Sequence, residues 1–173
     1  MSRQPRIIPV AALARSGYHS TMSTVIALQP VSWQRMAKGI DDVRQRLERA
    51  AAALEKLGVQ YAVVGGNAVA AWVSRVDESA VRNTRDVDIL LCREDAEKAR
   101  EALEAAGFVH RRVASLGKAG AMDVFLDGPD AKVRDAVHVL WAGEKPVPDA
   151  IENTPELRET EQGEGFELVP LQD

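Results

Sequence analysis

The chain has 173 residues, 46% of them hydrophobic and 28% charged, enough for one globular domain with a sizeable core. Its net charge of -4 excludes a polycation, so any contact with nucleic acid has to use a local patch. The one cysteine, Cys92, excludes an internal disulfide and suits a reducing, cytoplasmic setting, and no apolar run reaches the ~20 residues that cross a bilayer.

Taken in order, the first 40 residues carry no Asp or Glu and include Arg3, Arg6 and Arg15 among serines, threonines and prolines. Such a leader reads as an organelle transit peptide, as a disordered tail, or as an over-long start with Met22 as the initiator. Residues 1–31 are accordingly expected to be a disordered or extended tail, and 32–173 a single domain. From Ser32 the period turns helical. Ile40, Val43, Leu47, Ala50, Leu54 and Leu57 form one apolar stripe, with Ser32 as N-cap and Gly58 just past the end. Arg44, Arg46, Glu48 and Arg49 are assigned to the solvated surface of this packing helix.

The apolar run Tyr61-Ala62-Val63-Val64 predicts a strand that ends on Gly65-Gly66, where a small-residue helix begins at Asn67. Glycines at a strand-to-helix turn expose backbone N–H groups at a helix N-terminus, a place where phosphate binds well. A polar loop carrying Arg75, Arg82 and Arg85 leads to a second strand that opens with Asp86-Val87-Asp88. Side chains alternate along a strand, so Asp86 and Asp88 share a face. Paired carboxylates repel unless a cation lies between them, and hard ions such as Mg²⁺ take such oxygens together with substrate phosphates. The combination points to nucleotide chemistry, with Arg82 read either as neutralising a triphosphate or a leaving pyrophosphate or as simply solvent-exposed.

A helix follows over 94–106, then strands over 108–116, 121–126 and 137–141, with a turn at 117–120. In Met122-Asp123-Val124-Phe125-Leu126, Asp123 interrupts an apolar run. A charge there is costly unless paired or metal-bound, so Asp123 is the expected third carboxylate. Asp127, before Gly128-Pro129, reads as a turn residue. His110, Arg111, Arg112 and Lys118 form a basic run, read as a solvated hairpin or as a contact for an anionic partner such as RNA. His138 faces opposite to Val137, Val139 and Trp141 and is read as a structural histidine. Residues 143–165 are expected to be a loop, and 166–171 a last strand.

These residues resemble the nucleotidyltransferase superfamily that includes DNA polymerase beta and the antibiotic nucleotidyltransferases. The similarity covers about residues 40 to 171 and rests on Gly65-Gly66, Asp86-x-Asp88 and, by position, Asp123. The long gap between Gly66 and Asp86, with the run Arg82-x-Thr84-x-Asp86-x-Asp88, looks more like the branch of AbiEii-type toxins of toxin–antitoxin systems. The resemblance implies an α/β (α+β) fold: a mixed sheet of about four to five strands, with helices mainly on one face. It further implies transfer of a nucleoside monophosphate from an NTP to an acceptor hydroxyl of RNA, protein or a small molecule. Two Mg²⁺ would sit on Asp86, Asp88 and Asp123, and the nucleotide on Gly65, Gly66, Asn67, Arg82 and Thr84. An antitoxin is the implied partner; no membrane is. The lysine-bearing helix that commonly follows the last strand in this branch has no counterpart, so the chain reads as a compact or truncated variant. The alternative is a nucleotidyltransferase-like binding or regulatory module without catalysis, and a chance pair of aspartates on an exposed edge is a third reading.

Overall fold

Ser32 opens the first helix as expected: its Oγ accepts a hydrogen bond from the Arg35 N–H, and α1 runs Trp33–Lys56. The computed structural model describes residues 32–114, 121–147, 149–158, 160–163 and 165–170. The tail expected over 1–31 and the turn expected at 117–120 lie outside the described residues. Helix α1 ends where Gly58 takes φ 62° and the Val59 N–H returns to the Leu54 carbonyl. Strand β1 (Tyr61–Val64) leads directly into α2 (Gly65–Ser74), and β2 spans Val87–Leu91. The chain continues through α3 (Ala96–Ala105), β3 (Val109–Ala114), β4 (Ala121–Leu126) and β5 (Ala136–Trp141) to β6 (Glu161–Gln162) and β7 (Glu167–Leu168).

The strands form one mixed sheet in the order β3-β4-β5-β2-β1-β7-β6. Strand β2 pairs parallel with β5 and antiparallel with β1, while β7 lies parallel to β1 on its other side. Among the described residues seven strands replace the four to five expected. The two-residue β6 falls in a segment read as loop, because strands so short carry no periodicity to detect.

Residue parity sorts the sheet into two faces. Tyr61 and Val63, Val87, Ile89 and Leu91, Val137 and Val139, and Phe125 join Leu47, Ala50 and Leu54 of α1 and Ala99 and Leu103 of α3 in the main core. Helices thus pack mainly on this face, as expected, and each fully buried Leu there contributes on the order of 1.5–3 kcal/mol. The opposite face carries a smaller cluster of Ala62, Leu90 and Leu157. Arg46 corrects the reading of a solvated arginine. It is 5% exposed and holds Asp127 and the Arg85 carbonyl, while Arg49 pairs with the same Asp127 and lies over the Phe108 ring. Asp127 therefore ties α1 to the end of β4. Among the described residues no helix is long and apolar enough to cross a membrane.

Candidate active site

The diglycine turn and the aspartates meet because β1 and β2 are antiparallel neighbours with Val64 opposite Asp88. Gly65 takes φ 64°, and a Cβ on it would stand 2.2 Å from Asp88 Oδ2. A Cβ on Gly66 would stand 2.9 Å from the Thr84 Cβ. The turn therefore requires glycine twice, once for backbone conformation and space together, once for space alone. Helix α2 starts here with no side chain capping its N–H groups and no acid in its first turn, the kind of helix end whose partial positive charge favours an anion.

Asp86 is held from two directions. The Thr84 hydroxyl donates to its Oδ1, and the Asn67 amide donates to its carbonyl at 2.7 Å. Asn67 and Thr84, both expected to touch the nucleotide, are thus tied to Asp86, Thr84 at its carboxylate and Asn67 at its backbone carbonyl. Arg82 is exposed and lines a shallow cleft with Asn67, Ala70, Asn83 and Thr84.

The third member of the cluster is His138, not Asp123. Parallel pairing sets His138 opposite Asp88, and its Nδ1 lies 3.4 Å from Asp88 Oδ1 and 3.9 Å from Asp86 Oδ2. Ligand atoms of Asp86, Asp88 and His138 all fall within 4.8 Å of one another. Asp123 is correctly placed on a strand but on the wrong face. Across β4 and β5 it is Val124 that stands opposite His138, while Asp123 stands opposite Val139, whose β2 partner is Ile89 of the main core. Its charge is met there by His110 Nε2 at 2.8 Å, with Arg112 at 3.9 Å. The expected reason for its presence, a charge that needs a partner, holds; the partner is a histidine rather than a metal. His138 left a signal of its own: within β2 and β5, Asp88 and His138 are polar positions of the same parity, each opposed to the large apolar set of its strand.

The protonation geometry at His138 decides what the cluster can hold. Its Nε2 lies 2.8 Å from the Val133 carbonyl, which only accepts, so Nε2 carries the hydrogen. In the neutral ring Nδ1 is then an acceptor facing two carboxylates. Three converging acceptors call for a cation or a proton. The hydrogen bond to Asp88 accordingly holds the His138 pKa above its ordinary value, against the opposing effect of burial. Two carboxylates and an imidazole whose outer N–H is fixed by a backbone carbonyl fit a divalent metal ion.

A sequence profile for a family described as "Uncharacterised nucleotidyltransferase" matches residues 11–152. Among solved structures, ANT(2″)-Ia in complex with adenylyl-2″-tobramycin is 18% identical with a TM-score of 0.42, over 74% of this chain and 67% of that one. The solution structure of the antibiotic-resistance factor ANT(2″)-Ia is 18% identical with a TM-score of 0.40, over 70% of this chain and 56% of that one. No curated protein matches the chain.

Proposed function

The chain belongs to this nucleotidyltransferase family, and we propose that it moves a nucleoside monophosphate from an NTP to an acceptor hydroxyl at the cluster of Asp86, Asp88 and His138. The observation that carries the reading is the convergence of these three side chains beside an uncapped helix N-terminus behind the diglycine turn. In the transfer a bond forms between the acceptor oxygen and the α-phosphorus, and the bond to the leaving pyrophosphate breaks. The acceptor's proton passes to a carboxylate oxygen of the pair. N–H groups opening α2 bind the outer phosphates, and Arg82 offsets charge on the departing pyrophosphate. Thr84 and Asn67 keep Asp86 turned toward the site. When bound on Asp86, Asp88 and His138, a divalent ion supplies Lewis acidity and a template for the triphosphate oxygens.

The test is incubation with each α-labelled NTP and a divalent ion, with and without total RNA. Label transfer by the parent chain and none by Asp88→Ala is the expected result; no transfer with any NTP refutes it. RNA, protein and small-molecule acceptors separate by where the label goes. A toxin role with a cognate antitoxin rests on the Arg82-x-Thr84-x-Asp86-x-Asp88 run. Growth arrest on expression, relieved by Asp88→Ala, is its check. The histidine in the third position favours one rival, a binding module without catalysis, in which Asp86→Ala leaves cellular function intact.

A further inference from the structure

The third donor differs in kind from the other two, and that has a consequence for the ion. Mg²⁺ is small and hard, prefers an all-oxygen octahedron and keeps several waters. An imidazole nitrogen shifts affinity away from Mg²⁺ and toward the divalent first-row ions, whose affinities rise from Mn²⁺ to Cu²⁺. His138 is built as a ligand would be. Its Nδ1 faces Asp88 at 3.4 Å and Asp86 at 3.9 Å, and its Nε2 is tied at 2.8 Å to the Val133 carbonyl. That carbonyl belongs to a short 3-10 turn, Val133–Asp135, immediately ahead of β5. An outer N–H held by a backbone carbonyl fixes the tautomer and raises the basicity of the inner nitrogen. The side chain is only 13% exposed, so the ring has little freedom to turn away.

We propose that the centre takes a first-row transition ion, Mn²⁺ or Zn²⁺, in preference to Mg²⁺, and that His138 sets this preference. The inference rests on reading Asp86 and Asp88 as the metal carboxylates of the transferase site. A merely structural histidine, paired with Asp88 as an imidazolium, makes the opposite prediction about the ion.

The experiment measures Mn²⁺ and Mg²⁺ affinities of the full chain, stripped by a chelator, using the free Mn²⁺ paramagnetic resonance signal and calorimetry. His138→Asp is expected to lower the ratio of Mn²⁺ to Mg²⁺ affinity by about tenfold or more, the scale on which changes to a metal's surroundings act. His138→Glu, with a longer reach, serves should the aspartate fail to fold. In the parent chain, Zn²⁺ is expected to shift the Nδ1 resonance of His138 and leave His110, on the other face of the sheet, in place. An unchanged affinity ratio in both variants, or a His138 resonance indifferent to Zn²⁺, overturns the inference while sparing the carboxylate pair. Full ion affinity in Asp88→Asn overturns the centre itself. The expected ion preference without label transfer upholds the inference and refutes the transferase reading.

Discussion

Replacing Gly65 by alanine separates backbone strain from crowding at the site, because the chain contains its own control. Gly58 and Gly65 share nearly the same left-handed backbone, φ 62° and 64°, but a Cβ at Gly58 meets nothing within 4 Å. An L-residue in that region costs about 1–2 kcal/mol, so Gly58→Ala is expected to lose about that much stability. Gly65→Ala carries the same strain and adds a Cβ 2.2 Å from Asp88 Oδ2, against ordinary contact from 3.4 Å. Asp88 must therefore give way by more than 1 Å. Turning its carboxyl off a staggered rotamer adds about 0.5–1.5 kcal/mol and carries it out of its place beside His138. The expected loss for Gly65→Ala is roughly 2–3 kcal/mol in urea unfolding. Mn²⁺ binding and label transfer should fall steeply in Gly65→Ala and be unaffected in Gly58→Ala. Equal stability losses in the two variants, with Mn²⁺ affinity intact in Gly65→Ala, would refute the contact between the turn and Asp88.

Three further outcomes follow from the same geometry. Asp123→Asn should cost roughly 1 kcal/mol by weakening the bond to His110 and leave Mn²⁺ binding and label transfer unchanged; loss of ion binding would restore Asp123 to the site. Thr84→Val removes the hydroxyl that orients Asp86 and is expected to cost on the order of 1 kcal/mol at the transition state, read as a several-fold lower rate of label transfer. Asp127→Asn leaves the buried Arg46 short of its charge partner and should destabilise the fold by about 1–3 kcal/mol. Burial raises the pKa of Asp127, but Arg49 and Arg46 outweigh it and hold the carboxyl below its ordinary range. Its stabilisation is therefore full above the ordinary carboxylate pKa and is lost as pH falls through the depressed folded value. Urea melts across that acid range should show this slope in the parent chain and lose part of it in Asp127→Asn.

What could be read from sequence was what is decided locally. The diglycine turn, the capped start of α1 and the shared face of Asp86 and Asp88 each depend on neighbours in the chain, and all three were legible. The face of Asp123 was not, because it depends on the register of β4 against β5, and a slip of one residue would reverse it. One clue lay in the strand itself: Asp123 and Phe125 have the same parity, and Phe125 is the residue that enters the main core. Arg46 was misread for a related reason. It lies beside Leu47 on the inner stripe of α1, and its burial depends on Asp127, which arrives from 81 residues away.

The pairing of β7 with β1 orders events during folding. Val63 of the strand that ends in the diglycine turn has Leu168 as its neighbour, and the Val63 carbonyl accepts from the Val169 N–H. A second latch joins the indole of Trp72, in the helix that begins at that turn, to the Val169 carbonyl. Because Val63 and Leu168 are far apart in the chain, their pairing is expected to close late, and until then the β1 edge is bare and able to recruit a stranger. Pulsed hydrogen exchange during refolding should see this margin of the sheet protected last. The diglycine turn is thus backed by a strand contributed from far along the chain.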